Sequence, residues 1–177
     1  IINNNSGGDI NNNGGIINNN SGGIINNNSG GIINNNDFGE IYNTDIINNN
    51  GKIYNYDGAE FIGDINEGKP IMQQMSVQDA NSTLESGNLV LENQFIEISD
   101  GQTLSIQSVK TLILNANSEI IISDGGTINN FFSIIYNNSG GTINNNLGGT
   151  INSINSVIYD CGGEFIGVNQ IVYDCPQ

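Results

Sequence analysis

IINNNSGGIINNNSGG, residues 16–31, decides the fold of this chain, because it is one eight-residue motif written twice. The motif also stands at residues 1–8, and it returns near the other end as TINNN at residues 142–146. A short unit that recurs at a fixed period cannot bury its own apolar face, so it must stack on copies of itself. The repeat therefore predicts a solenoid, whose function depends on shape and surface more than on a pocket.

The second residue of each repeat is the apolar position that persists, at steps of seven or eight residues. The residue before it accepts Asp9 or Thr127, which indicates a solvent-facing position, since side chains of a strand alternate between faces. Gly-Gly and Ser-Gly supply the turns. The pattern predicts an all-β, parallel β-solenoid with stacked aliphatic and Asn ladders. The predicted core ladder is Ile2, Ile10, Ile17, Ile25, Ile33, Leu104, Leu112, Ile120, Ile128, Ile143 and Ile151.

The register of the repeats divides the chain into a first array at residues 1–63, an irregular segment at 64–88 and a second array at 89–177. The irregular segment holds Pro70 and both methionines, and we interpret it as a linker, a crossover, a short capping helix or a detachable assembly strand. Both arrays contain EFIG, at residues 60–63 and 164–167. The Phe of this motif either caps the end of a stack or fills a slightly wider coil.

The two cysteines bear on the number of repeats in one coil. Cys161 and Cys175 end the related segments VIYDC and IVYDC, fourteen residues apart. If a coil holds two repeats, the cysteines lie on adjacent coils at a distance that suits a disulfide. This spacing favours a two-sided coil and a Cys161–Cys175 disulfide. A three-sided coil and free or intermolecular thiols are the alternatives.

The composition excludes several classes of function. The chain has a net charge of −15, with 3 Lys and Arg, 18 Asp and Glu, and no His. Nucleic-acid binding requires a basic face, and anionic membranes also attract basic proteins. No apolar run is long enough to span a bilayer. Asn makes up about a fifth of the residues, as in many disordered segments, but the regular aliphatic spacing favours a folded core.

The GGTINNN repeats and the DGQTLSI segment at residues 100–106 resemble low-complexity β-solenoid regions of secreted microbial surface proteins, many of them archaeal. The resemblance covers both arrays. It implies an extracellular or cell-surface location and a role in fibres, matrix or adhesin stalks, and it carries over no catalytic residues. The chain starts within a repeat, so we expect a processed product or a piece of a longer protein.

We expect no enzymatic activity, because the chain has neither His nor Arg and Lys110 has no acidic cluster beside it. We expect no cofactor, although calcium at acidic turns is possible. The candidate pairs are Asp37 with Glu40, Asp57 with Glu60, and Asp64 with Glu67. Asn81 and Asn137 match the glycosylation pattern and are the candidate acceptors, whereas alternation places Asn4 inside the coil.

These observations predict a structural subunit of an extracellular filament or surface appendage, whose solenoid ends stack head to tail. The expected partner is the protein itself. The alternative is an adhesin stalk or a rod that binds carbohydrates or another surface, through Asn ladders and exposed tyrosines such as Tyr42, Tyr54, Tyr136 and Tyr159. Polymerisation distinguishes the first hypothesis and glycan binding the second.

Overall fold

The computed structural model describes residues 1–21, 23–36, 38–167 and 172–176. It forms two units, Ile1–Gln74 (unit 1) and Met75–Gln177 (unit 2). The boundary falls inside the irregular segment 64–88. That segment contains two short strands and a helix, α1, at Val77–Ser86.

Unit 1 is built from short parallel strands separated by turns. They are β1 Ile2–Asn4, β2 Asp9–Asn13, β3 Ile16–Asn19, β4 Ile24–Asn27, β5 Ile32–Asn36, β6 Glu40–Asn43, β7 Ile46–Asn49, β8 Lys52–Asn55, β9 Glu60–Ile62, β10 Glu67–Gly68 and β11 Met72–Gln74. Every third strand pairs, which gives the sheets β1-β4-β7-β10, β2-β5-β8-β11 and β3-β6-β9. The fold is therefore a parallel β-solenoid, as predicted.

One coil of unit 1 contains three strands, and the prediction of two repeats per coil is wrong. Ile2 lies opposite Ile25, and Ile10 lies opposite Ile33. The Asn residues stacked on each other in these strands are 23 residues apart in sequence. Each Gly-containing turn redirects the chain by less than half a circle, so three strands are needed before the chain returns to the same sheet.

The inner face of unit 1 carries the predicted isoleucine ladder. Ile25 and Ile33 are buried in one cluster with Ile41, Ile47 and Ile53. Ile10 and Ile17 of the first coil are partly buried against this cluster together with Phe61. Ile2 is 45% exposed, whereas its neighbour in the next coil, Ile25, is 4% exposed. Ile25 pairs with Ile2 on one side and Ile47 on the other, which accounts for its deeper burial.

Unit 2 repeats the plan with a helix at its start. Its strands are β12 Leu89–Leu91, β13 Gln94–Ile98, β14 Thr103–Gln107, β15 Thr111–Leu114, β16 Ser118–Ile122, β17 Thr127–Phe131, β18 Ile134–Asn138, β19 Gly141–Asn145, β20 Thr150–Ile154, β21 Val157–Cys161, β22 Glu164–Ile166 and β23 Tyr173–Asp174. They pair in parallel in the sheets β12-β15-β18-β21-β23, β13-β16-β19-β22 and β14-β17-β20. The ladder residues Leu104, Leu112, Ile120, Ile128, Ile143 and Ile151 are buried in a single core cluster.

Helix α1 covers the first coil of unit 2. The side chain of Ser76 accepts a hydrogen bond from Asp79 N and caps the helix N-terminus. Val77, Ala80 and Leu84 are buried and join the core cluster. This apolar face closes the end of the coil that would otherwise leave the core exposed.

The last coil of unit 2 contains fewer residues than the coils before it. Tyr159 pairs with Tyr173 in adjacent strands of one sheet, so that the last coil advances by fewer residues than the 23 that are typical of the coils before it. Within this coil Cys161 and Cys175 form a disulfide, with a Cα–Cα distance of 4.8 Å. The predicted pairing is present, although it arises from local shortening of a three-strand coil. Residues 168–171, which include the start of IVYDC, lie outside the described residues.

Candidate functional site

Unit 1 contains three inner columns of Asn side chains, one on each sheet. Within each column, Nδ2 of one Asn donates to Oδ1 of the Asn in the next coil. The bonds are Asn4 to Asn27 at 2.9 Å, Asn27 to Asn49 at 2.8 Å, Asn12 to Asn35 at 2.9 Å, Asn35 to Asn55 at 2.8 Å and Asn19 to Asn43 at 2.9 Å. All of these side chains are buried.

The second N–H of an inner Asn amide binds backbone. Nδ2 of Asn4 also donates to the carbonyl of Ile32 at 2.8 Å, and Nδ2 of Asn27 donates to the carbonyl of Lys52 at 2.9 Å. Both amide hydrogens are therefore satisfied at a site closed to water, which offsets the cost of burying the amide. The prediction that Asn4 faces inward is consistent with this geometry.

The outer Asn columns of unit 1 have the opposite polarity. Here Nδ2 of the later coil donates to Oδ1 of the earlier coil. Asn26 donates to Asn3 at 2.8 Å, Asn48 to Asn26 at 3.0 Å, and Asn34 to Asn11 at 2.8 Å. Unit 2 has the same outer polarity, since Nδ2 of Asn152 donates to Oδ1 of Asn129 at 2.9 Å. Where a strand of unit 1 carries both, the inner amide thus donates forward along the chain and the outer amide donates backward.

This polarity gives the first coil of unit 1 a defined chemical face. In the second coil, the inner Asn side chains accept a hydrogen bond through Oδ1 from the coil before. The equivalent acceptors in the first coil are Oδ1 of Asn4, Asn12 and Asn19. The outer Asn side chains of the second coil donate through Nδ2 to the coil before, and the equivalent donors in the first coil are Nδ2 of Asn3 and Asn11. Beside these amides lie the isoleucines of the first coil, less buried than those of the second. A strand that continues the stack must present an apolar residue, an outer acceptor and an inner donor in that order.

Among the described residues, β20 is the last strand of the β14-β17-β20 sheet, and it presents this order. In β20, Ile151 faces the core, Asn152 faces outward and Ser153 faces inward. Oδ1 of Asn152 is the outer atom that would accept from a following coil. Oγ of Ser153 is buried and has no hydrogen-bond partner among the described residues. Sequence reasoning missed this strand, because Thr-Ile-Asn-Ser departs from the Asn-Asn-Asn pattern by one residue. Its position as the last described strand of a sheet is known only from the structure.

The two candidate glycosylation sites are both engaged in hydrogen bonds. Asn137 is 0% exposed, and its Nδ2 donates to the carbonyl of Glu164 at 2.9 Å. Asn137 is therefore corrected from a sugar acceptor to a core residue. Nδ2 of Asn81, on α1, donates to the carbonyl of Thr103, and its Oδ1 accepts from Ser105 N, both at 2.9 Å. The Asn81 amide thus satisfies the edge of β14, and a sugar on Nδ2 would disrupt that bond.

The acidic turns do not converge into a cluster. Asp57, Glu60, Asp64 and Glu67 are exposed, and Asp37 lies outside the described residues. Across the described part of the chain, no three Asp, Glu, His or Cys side chains come close enough together to hold a metal ion. Tyr42 OH donates to Glu40 Oε2 at 3.0 Å, and this bond to a carboxylate raises the pKa of Tyr42. In the same described residues, no helix is long and apolar enough to cross a membrane.

Comparison with known proteins adds little to this description. No protein-family model matches the sequence, and no curated protein matches it significantly. One solved structure is similar, the crystal structure of the TibC-catalysed hyper-glycosylated TibA55-350 fragment, with 16% sequence identity over 97% of this chain and 86% of that chain. Its TM-score of 0.18 is too low to support any inference about this protein.

Proposed function

We propose that the protein is a structural subunit of an extracellular filament or cell-surface appendage, and that copies add to one another by stacking coils. The observation that carries the proposal is the polarity of the amide columns. The first coil of unit 1 presents inner acceptors and outer donors beside partly exposed isoleucines. Strand β20 of a second copy offers an outer acceptor at the exposed Asn152.

This contact would be heterologous, because the first coil of one copy meets the last strands of another. Heterologous contacts that do not close into a ring propagate into filaments. Backbone pairing supplies most of the affinity in strand addition, and the side chains set the register. The net charge of −15 keeps unassembled copies apart at low ionic strength. We therefore expect assembly to increase with protein concentration and with salt.

The extracellular location is part of the same proposal. The Cys161–Cys175 disulfide is compatible with an oxidising compartment, where disulfides form and persist.

Sedimentation velocity over a range of concentrations tests the proposal. Asn11→Lys places a charge on the outer face of the first coil, where edge lysines oppose strand pairing, and we expect it to abolish assembly. Asn34→Lys is the matched control, because Asn34 holds the same outer position one coil later. Assembly that survives Asn11→Lys, or wild-type protein that stays monomeric at the highest concentration, would reject the stacking proposal.

A further inference from the structure

One side of unit 2 is apolar and carries no carboxylate. It consists of the outward-facing residues of β15, β18 and β21, together with apolar residues at the end of the strand before each of them and in the corner between the two strands. Parallel register aligns Ile113 with Tyr136 and Tyr159, and Thr111 with Ile134 and Val157. None of these residues is charged, in a chain with 18 carboxylate side chains. We call this surface the apolar side, and its members are Val109, Thr111, Ile113, Phe131, Phe132, Ile134, Tyr136, Ile154, Val157 and Tyr159.

Large apolar side chains are exposed to solvent at the corners of the apolar side. Val109 is 87% exposed, Phe132 is 60% exposed and Ile154 is 54% exposed. Val109 N donates to the carbonyl of Phe132, and Phe132 N donates to the carbonyl of Ile154, so the three corners stack along the solenoid. Neighbouring exposed apolar side chains of this kind mark an interaction site.

Backbone strain at the same corner supports a role beyond folding. Val109 has φ 59° and Phe132 has φ 53°, in the left-handed region that bulky and β-branched residues rarely adopt. Asn155 holds the equivalent corner position in the next coil with φ 50°, and Asn tolerates this conformation. Folding alone would therefore favour Asn or Gly at residue 132. Strain that a better local residue would remove is typical of functional positions.

We propose that the apolar side binds the apolar side of a second copy of this chain, which joins solenoids laterally. Three observations select a second copy. The outward-facing residues of β15, β18 and β21 and the corners before these strands include Lys110 but no carboxylate, so two acidic copies can approach there with the least repulsion. Both partners have the same strand spacing along the solenoid, so their side-chain columns can interdigitate over several coils, as in face-to-face sheets.

The third observation disfavours a sugar. The rings of Tyr136 and Tyr159 stack on each other, with centroids 5.1 Å apart and an interplanar angle of 19°. Their faces are therefore turned toward each other along the column, and their edges are directed outward. Ring edges pack well against the aliphatic side chains of another sheet, whereas stacking on a sugar would use the ring faces.

Sedimentation equilibrium in the Asn11→Lys background separates lateral pairing from end-to-end stacking. We expect the Asn11→Lys protein to form a dimer. Phe132→Asn, which copies Asn155, should raise the dissociation constant at least tenfold while leaving the urea midpoint of the monomer unchanged or higher, because it relieves the strained φ. Leu147→Asn is the matched control, since Leu147 is 97% exposed but lies on the turn between β19 and β20, away from the apolar side.

Two results would overturn lateral pairing. One is a monomer in the Asn11→Lys background at the highest concentration reached. The other is a dimer whose dissociation constant changes equally with Phe132→Asn and Leu147→Asn. Retention of the Asn11→Lys protein on insoluble neutral polysaccharide, lost with Phe132→Asn and without a dimer, would assign the apolar side to a sugar instead. None of these outcomes depends on whether the first coil stacks end to end.

Discussion

Nδ2 of Asn27 lies 2.8 Å from Oδ1 of Asn49, and both side chains are fully buried in adjacent coils of unit 1. Asn27 also accepts from Asn4 through Oδ1 and donates to the Lys52 carbonyl. One side chain thus links three coils. An Asn-rich composition, which is typical of disordered segments, here forms a continuous hydrogen-bonded interior.

We expect Asn27→Ala to destabilise the protein by about 3 kcal/mol or more, since it leaves buried partners on Asn4 and Asn49 unsatisfied. Asn26→Ala is the control. Asn26 makes similar amide bonds on the outer face, where water can replace them, and its loss should cost less than about 1 kcal/mol. Urea unfolding followed by circular dichroism measures both. Equal destabilisation would show that the inner columns add nothing beyond the outer ones.

Asn81→Ala should uncover the edge of β14. It removes the acceptor of Ser105 N and the donor to the Thr103 carbonyl, so we expect faster amide exchange at Ser105 and a loss of about 1–2 kcal/mol. Ser82→Ala is the matched change on the same helix, because Ser82 Oγ donates to the Gln78 carbonyl within that helix. Unchanged exchange at Ser105 in Asn81→Ala would contradict the capping role.

Gly51→Ala should be among the most damaging small substitutions. A Cβ at residue 51 would lie 2.2 Å from the carbonyl oxygen of Gly31, which is fixed by a hydrogen bond from Lys52 N. We expect a cost of about 3 kcal/mol, because a backbone atom cannot move aside. Gly87→Ala, where nothing lies within 4 Å, should change the free energy of unfolding by less than about 0.5 kcal/mol. The melting temperatures of the two variants should therefore differ clearly, and similar values would refute the steric argument.

Loss of the disulfide should affect the last coil of unit 2 selectively. Replacing Cys161 and Cys175 by Ser removes a cross-link over about 15 residues, worth about 3 kcal/mol in the chain-entropy model. We expect faster hydrogen exchange in β21 and β23, with β15 and β16 unchanged. If hydrogen exchange became faster throughout unit 2, the disulfide would stabilise the whole unit. If exchange in β21 did not change, the disulfide would stabilise neither the last coil nor the unit.

The sequence was sufficient to predict the class of fold and the disulfide, for identifiable physical reasons. The regular return of Ile with small turn residues allows few structures other than a stacked solenoid. The number of sides was not predictable, because it depends on the angle of each turn, which Ser-Gly-Gly does not specify. The cysteine spacing led to the wrong prediction of two repeats per coil, because Tyr159 and Tyr173 pair in a last coil that is shorter than the earlier ones.

The candidate surfaces were less accessible to sequence reasoning. Asn137 matches a glycosylation pattern, but the match carries no information about which face of the strand it occupies. The end of β20 and the opposite polarity of inner and outer amides depend on hydrogen bonds between residues more than 20 positions apart. The strained Phe132 is invisible in a sequence, because the left-handed conformation is a property of the corner that it occupies.

The stacking of coils between copies is the central claim, and electron cryomicroscopy of the concentrated native protein tests it most directly. The account predicts filaments with a strand spacing of about 4.8 Å along the axis, in which β20 of one copy pairs with a first-coil strand of the next. Discrete particles with no density on the first coil, at concentrations well above those used for sedimentation, would contradict it.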